Sequence, residues 1–173
     1  MPVDRSLRDL SIRPARPDDF SGALAVLTNA AAWARDRGIE GWWPVPFPPE
    51  RLRPALDRAH LIVADASGEI VGTMVVEWED ARVWGEEPPI AGYVHLLAVR
   101  HDRPVRGLGQ LLLAWAADRV RENGRSLIRL DCRATNRSLV TYYESQGFRR
   151  VREAPPPVPG EHRPVVLLEK EVA

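Results

Sequence analysis

Residues 97–110 read LAVRHDRPVRGLGQ and join a strand, a turn and a helix without a spacer. The segment begins as the end of an apolar strand, turns at Gly107 and Gly109, and continues as an amphipathic helix. Backbone N–H groups at such a helix start have no intrahelical partner and converge on one point, which favours a bound phosphate. Both glycines lack the Cβ that would hold a phosphate away, although a tight packing turn also explains a lone Gly-x-Gly.

The chain on either side of this segment alternates between apolar runs typical of strands and helical periodicities. Neither an internal repeat nor a change in composition marks a second domain, so residues 1–173 are predicted to form a single domain. The order of the elements indicates a mixed sheet covered by helices, with a loop at 79–89 and a strand at 92–99 that is buried on both faces. Strands are predicted at 10–12, 61–66, 70–78, 92–99, 127–131, 148–152 and 165–169, and helices at about 17–37, 50–58, 107–122 and 136–146.

The composition excludes several classes of partner and cofactor. The chain has 24 basic and 24 acidic residues, so its zero net charge offers no general attraction for nucleic acid or an anionic membrane. The single cysteine, Cys132, cannot form an internal disulfide or a thiolate zinc site, and the four histidines lack metal-ligand spacing, so we expect no metal. The apolar runs are too short for a signal peptide or a membrane-spanning helix, which predicts a cytoplasmic protein.

A second informative segment, residues 136–148, reads NRSLVTYYESQGF. On a helix Tyr143, seven residues after Asn136, lies on the same face as that residue. Each residue also has a purely structural explanation. Asn136 is a good helix cap, and Tyr143 could pack with its hydroxyl at the rim of the core.

Together the two segments resemble the GNAT superfamily of N-acetyltransferases, which transfer an acetyl group from acetyl-CoA to an amine. The cofactor loop of that family reads Q/R-x-x-G-x-G/A and is matched here by PVRGLG at 104–109. Its later N-x-x-x-x-x-x-Y-x-x-x-G-F pattern is matched by Asn136, Tyr143, Gly147 and Phe148. The resemblance covers the predicted elements from about Ile12 to Lys170. It implies a GNAT-like α/β (α+β) fold, with a mixed, mostly antiparallel central sheet of about six to seven strands flanked by about four helices.

The resemblance also implies an acetyl-CoA site. The backbone of Leu97 and Val99 would pair with the pantetheine arm, and the amides from 105 to 110 would hold the pyrophosphate. Pro104 stands where the family has Gln or Arg, and proline has no N–H to donate. Arg103 and Arg106 flank it and could supply charge-assisted contacts instead. The cofactor-binding candidates are Leu97, Ala98, Val99, Arg103, Pro104, Val105, Arg106, Gly107, Leu108, Gly109, Gln110, Asn136 and Tyr143.

Transfer of an acetyl group to an amine needs a base and an acid. An alkyl ammonium has a pKa of about 10.4 and must lose a proton before it can attack a thioester. His95, on the strand that leads into the turn, is the first candidate base, and Glu77 and Glu79 are the next. A histidine that only satisfies a neighbour, and ordinary solvated carboxylates, are the alternatives. The departing thiol has a pKa of about 8.5, and the resemblance implies that Tyr143 protonates its thiolate.

Aromatic residues outside the cofactor segments are candidates for binding the acceptor. They are Trp33, Trp42, Trp43, Trp78 and Trp84, with carboxylates nearby at Glu79, Asp80, Glu86 and Glu87. Such an aromatic wall suits an amine with an apolar body, through cation–π contact and charge attraction. Each tryptophan could instead belong to the core or to a dimer interface. Cys132 is expected to be a small buried residue and not an acyl-carrying nucleophile.

The resemblance and these residues favour an N-acetyltransferase that acts on a primary amine of a small molecule by direct transfer in a ternary complex, with acetyl-CoA as cofactor. Two alternatives stay open. One is a catalytically silent acyl-CoA-binding or sensing module, which the proline at position 104 would suit. The other is a transferase for a protein lysine or N-terminus. The resemblance also suggests a homodimer.

Overall fold

The computed structural model of the protein describes residues 9–39 and 43–172, so Trp42 lies outside the described residues. The strands are β1 (Leu10–Pro14), β2 (Leu61–Ala66), β3 (Glu69–Glu77), β4 (Ala91–Val99), β5 (Leu127–Arg133), β6 (Arg149–Ala154) and β7 (Val165–Glu171). The helices are α1 (Phe20–Asp36), α2 (Pro49–Asp57), α3 (Ala81–Trp84), α4 (Leu108–Glu122) and α5 (Arg137–Ser145). Among the described residues, no helix combines the length and the apolar composition that crossing a membrane requires.

The seven strands of the described chain form one sheet in the order β1-β2-β3-β4-β5-β7-β6. Every neighbouring pair is antiparallel except β4 and β5, which run parallel. The prediction of a mixed, mostly antiparallel sheet is therefore confirmed. Strands β2 and β3 form a hairpin, and Ser67 and Gly68 between them both have positive φ, the geometry of a tight two-residue turn.

Helices cover both faces of the sheet because successive strand residues point to opposite sides. On one face the apolar stripe of α1, with Phe20 and Leu27, packs with Leu52 of α2 against the sheet. On the other face α4 and α5 bury Leu112 and Val140 in a second core. The strand residues divide accordingly, with Leu61, Val63, Val75 and Ala98 in the first core and Ile62, Met74, Val94 and Leu130 in the second.

Two parts of the fold differ from the sequence-based expectation. The stretch 79–89 contains the one-turn helix α3, because Val83 and Trp84 are buried against Tyr93 and anchor the chain to the sheet. The strand β4 is buried only over its first half and at Ala98, whereas residues 95–97 are half-buried. Burial on both faces fails there because β4 separates from β5, which opens a cleft.

Candidate active site

The cleft begins where the parallel pairing of β4 and β5 stops. Only Ala91, Gly92 and Tyr93 of β4 are paired with β5, and the last pair is Tyr93 with Arg129. Just beyond it, β4 carries one residue more than β3 between their flanking pairs, and Leu96 within this bulge has a φ of 51°. A bulge interrupts the regular ladder and redirects side chains. The strands consequently line a cleft of about 2050 Å³ that extends to α1, α3 and α5.

The start of α4 forms the cofactor end of this cleft. Gly107 occupies the cap position with a φ of 75°, which glycine adopts without strain, and it offers no side chain to cap the helix. The amide of Leu108 donates to the Val105 carbonyl at 3.2 Å. The next amides of the first turn have no intrahelical acceptor, which leaves donors for an anion. A Cβ at Gly109 would lie 2.8 Å from the Tyr142 hydroxyl oxygen, so a side chain there would have to displace this tyrosine.

The structure brings most of the predicted cofactor residues together. Those that line the cleft are Leu97, Ala98, Val99, Val105, Gly107, Leu108, Gly109, Asn136 and Tyr143. The other four, Arg103, Pro104, Arg106 and Gln110, are exposed and do not line it. The Arg103 guanidinium is 2.8 Å from a Glu69 carboxylate, whereas Arg106 forms no ion pair with a described residue. Of the two arginines beside Pro104, Arg106 is therefore the one available to an anion.

Asn136 and Tyr143 are placed on α5 as the sequence spacing requires. The Asn136 side-chain oxygen accepts the Leu139 amide at 3.2 Å, so it caps the helix while also lining the cleft. Tyr143 is 6% exposed and packs against Phe148 with ring centroids 5.8 Å apart. No described residue hydrogen-bonds the Tyr143 hydroxyl. Burial holds the pKa of Tyr143 well above its usual range, so the hydroxyl stays protonated.

His95 and Asp131 lie next to each other in the cleft. Both residues come two positions after the last β4–β5 pair, so they project from the same face of the sheet. Asp80, just before α3, brings a carboxylate oxygen to 3.5 Å from His95 Nε2. One polar atom from each of the three side chains lies within 4.8 Å of the others. Burial raises the pKa of Asp80, and it raises the pKa of Asp131 to about 6 against the opposing effect of His95.

Sequence reasoning missed two features of this site. Asp131 ends the predicted fifth strand, and only the parallel register with β4 reveals that it faces His95. Tyr142 lines the cleft and covers Gly109, whereas only its neighbour matched the family pattern. Asp80 was expected as a charge beside the aromatic wall, and the structure instead places it against His95.

The alternative bases occupy different surroundings. The Glu77 carboxylate is held by Arg58 at 2.8 Å and by His60 at 2.6 Å. Glu79 lines the cleft as an exposed carboxylate. Of the three base candidates, only His95 lies beside the opening between β4 and β5.

Of the four acceptor-binding tryptophan candidates that the structure describes, three line the cleft and one does not. Trp33 stacks on His101 with centroids 3.9 Å apart and Trp43 meets Phe47 edge-on. Trp78 instead packs against the core on the α4 side of the sheet, with the Arg125 guanidinium 5.1 Å from its ring. Trp84 is 3% exposed and packs in the core under the Arg129 guanidinium, 4.4 Å away. The structure therefore places Trp84 outside the acceptor wall, because α3 turns it inward onto the sheet.

Cys132 is buried next to Asp131 on β5. Burial and the neighbouring carboxylate raise its pKa to about 12, so the thiolate is scarce at neutral pH. The residue has the character expected of a small buried side chain.

Comparisons with known proteins agree with this geometry. The model of the acetyltransferase (GNAT) family matches residues 33–148. The chain is 27% identical over 143 residues to the uncharacterised N-acetyltransferase YesJ of Bacillus subtilis (strain 168), covering 78% of this chain and 79% of that protein. It is also 27% identical over 143 residues to the mycothiol acetyltransferase of Rhodococcus jostii (strain RHA1), covering 82% of this chain but only 46% of that longer protein.

Solved structures share the fold. A GNAT-family acetyltransferase from Listeria monocytogenes 4b F2365 superimposes with a TM-score of 0.75 at 22% identity, over 94% of each chain. At that identity the superposition establishes the architecture only. Because the family match spans more than half of the chain, the protein belongs to the GNAT family of acetyltransferases.

Proposed function

We propose that the protein transfers the acetyl group of acetyl-CoA to a primary amine of a small molecule, by direct transfer within a ternary complex. The observation that carries this proposal is that His95 and Tyr143 approach one opening from opposite faces of the sheet. Val94 and Leu130 belong to the α4 side of the sheet, and so does Tyr143. His95 and Asp131, which alternate with those strand residues, therefore belong to the other side.

The residues at the cofactor end fit the family's donor. When bound, acetyl-CoA supplies a thioester that is activated for attack by an amine. The uncapped start of α4 offers amides to a phosphate, and Arg106 is available to add a charge-assisted contact. The half-buried backbone at residues 95–97 has left its pairing with β5, which makes its polar groups available to an extended arm.

Proton movement follows from the surroundings of His95 and Tyr143. The His95 imidazole is positioned to take a proton from the amine, with Asp80 next to its Nε2 atom. The Tyr143 hydroxyl keeps its proton at every working pH and donates a hydrogen bond to the departing sulfur. Its pKa lies above the value of about 8.5 for a thiol, so hydrogen-bond donation is the larger part of its contribution.

The walls of the acceptor half support a small acceptor with an apolar body. Trp43 lines the cleft with Trp33, whose ring is stacked on His101 and lies 4.4 Å from the Arg37 guanidinium, and aromatic faces bind both apolar groups and cations. A relative is named a mycothiol acetyltransferase, which also supports a small-molecule acceptor. The assignment to this chain rests on the cleft, since the chain spans about half of that relative.

Isothermal titration with acetyl-CoA and then with CoA tests the donor site. We expect micromolar binding, and an Arg106→Ala variant should bind acetyl-CoA about five- to tenfold more weakly because it loses a charge-assisted contact. Arg103→Ala is the matched control and should bind within about twofold of the wild type, because Arg103 is already paired with Glu69. Equal affinity in the two variants would remove Arg106 from the site.

Turnover separates the proposed enzyme from its alternatives. A panel of primary amines and of short peptides is mixed with acetyl-CoA, and the release of free thiol is followed. Thiol release with small amines is the expected result. Release with peptides alone would indicate a protein acetyltransferase, and binding without any release would indicate a sensing module.

A further inference from the structure

Three titratable side chains meet at the floor of the cleft, on the side of the sheet opposite Tyr143. They come from three separate elements: Asp80 from the loop before α3, His95 from β4 and Asp131 from β5. Their nearest polar atoms lie within 4.8 Å of one another, and all three side chains line the cleft. If His95 served only to pair with one carboxylate, a second carboxylate beside it would not be required.

Asp80 has a carboxylate oxygen without a hydrogen-bond donor in this cluster. Its side chain is only 9% exposed, and its Oδ2 atom is buried without a hydrogen bond in the described structure. That same oxygen lies 3.5 Å from His95 Nε2, in a geometry that makes no hydrogen bond. A buried carboxylate oxygen without a donor is costly unless a donor or a cation arrives. The unpaired oxygen therefore points to a ligand that brings N–H donors and positive charge.

The charge around the cluster leaves room for a cation. Two ionised carboxylates outweigh even a protonated imidazole, so the three side chains together favour one further positive charge. Other groups that act on them are Glu77 of β3 and Arg82 of α3 toward Asp80, and Cys132 of β5 and Tyr143 of α5 toward Asp131. Arg82 is exposed and forms no ion pair with a described residue, so it acts on Asp80 only from a distance. Glu77 adds a further negative charge, which Arg58 and His60 already balance.

We propose that Asp80, His95 and Asp131 form one ammonium-binding site, in which the carboxylates hold the acceptor as a cation and the cluster then accepts its proton. This assignment, which rests on the acetyl transfer proposed above, makes Asp80 and Asp131 the residues that select an acceptor arriving as a cation. Aromatic amines, which are neutral at pH 7, gain nothing from the carboxylates.

The proton balance of this step closes without another reactant. One N–H bond of the ammonium breaks, its electron pair stays on nitrogen for the attack, and the proton moves to His95 Nε2 or to an Asp131 oxygen. After the C–N bond forms, nitrogen loses a second proton. One of the two protons ends on the free thiol and the other leaves to water. Because burial raises the pKa of Asp131 to about 6, this carboxylate is a stronger base than an exposed aspartate and still releases its proton at neutral pH.

The test compares two isomeric amines, phenethylamine and para-ethylaniline, within a wider panel of alkyl and aryl amines. The full chain and its variants Asp80→Asn and Asp131→Asn are assayed for kcat/KM by thiol release, and acetyl-CoA affinity is measured by titration. We expect each variant to lose about 100-fold or more in kcat/KM with the alkylamines and less than about threefold with the arylamines. Acetyl-CoA affinity should stay within about twofold of the wild type. Asp118→Asn, a change at an exposed position on α4, is the matched control and should leave every value unchanged.

The pH profile supplies a readout that a merely structural role would not move. With an alkylamine, kcat/KM of the wild type should fall below an apparent pKa near 6, and this limb should shift in Asp131→Asn. Equal losses for alkyl and aryl amines, or an unshifted limb, would overturn the assignment. Activity that disappears with a chelator and returns with a divalent ion would also overturn it, because the cluster would then be a metal site. Absence of acetyl-CoA binding in the wild type would instead refute the proposed function itself.

Discussion

Replacement of Tyr143 by phenylalanine removes one oxygen atom and keeps the ring, so it tests the catalytic role of the hydroxyl without changing the packing of the ring. The Tyr143 ring packs against Phe148 and Tyr142, and phenylalanine keeps both contacts. The hydroxyl has no hydrogen-bond partner among the described residues, so its removal costs no native hydrogen bond. Because this hydroxyl lines the cleft and is not one of the buried unpaired polar atoms of the described structure, the Tyr143→Phe protein should be about as stable as the wild type.

The effect on rate should be large in the same variant. Loss of a donor aimed at developing negative charge typically lowers kcat about 100- to 1000-fold, which corresponds to about 3–4 kcal/mol. The assay measures kcat by thiol release at saturating acetyl-CoA and amine, together with acetyl-CoA affinity and the melting temperature. Because the pKa of Tyr143 is raised well above its usual range, the ratio of the two kcat values should be constant between pH 6 and pH 9.

A comparison with Tyr142 sharpens this prediction. The Tyr142 hydroxyl lies against Gly109 at the start of α4, so Tyr142→Phe should change acetyl-CoA affinity more than kcat. Equal kcat in Tyr143→Phe and the wild type would refute the donor role. A fall in kcat matched by a fall in melting temperature would also contradict it, since the loss would then come from packing.

Three further predictions concern direct transfer, acid stability and the core. Cys132→Ala should retain kcat within about threefold, and no acetylated enzyme should appear by mass spectrometry when acetyl-CoA is added alone, because the pKa of this buried thiol is raised to about 12. Folding favours the neutral form of Asp131, whose pKa rises from 3.8 to about 6, so this carboxyl opposes folding as the pH rises through that range. Urea unfolding of Asp131→Asn should therefore show a stability gain over the wild type that grows by up to about 3 kcal/mol from pH 4 to pH 8, and a constant difference would contradict the assigned burial. Leu112→Ala, at a fully buried position on α4, should lose about 2–5 kcal/mol of unfolding free energy, whereas Leu111→Ala, at a position 39% exposed, should lose less than about 0.5 kcal/mol.

The sequence predicts the sheet and its helices because these depend on local periodicity. The hairpin at Ser67 and Gly68 and the helix after Gly107 each have a chemical signature within a few residues. The helix α3 has none, since one helical turn is shorter than the period that reveals a helix, and only the burial of Trp84 explains it. The same burial removes Trp84 from the acceptor wall.

The candidate site is divided in the same way. Gly107, Asn136 and Tyr143 belong to contiguous patterns, so the sequence alone identifies them as candidate site residues. The contact of Asp80 and Asp131 with His95 depends on which strands are neighbours and on the residue at which their pairing stops. No spacing along the chain encodes that register, and the three-residue cluster could therefore be found only in three dimensions.

The short pairing of β4 with β5 makes the candidate site the most weakly paired junction within the sheet. Three residue pairs join strands β1–β4 to strands β5–β7. Helix α4 crosses this junction by packing against β3, β4 and β5. A ligand bound between β4 and β5 contacts both groups of strands and links them. Ligand binding in the cleft should thus reduce local opening throughout the sheet, including strands that do not contact the ligand.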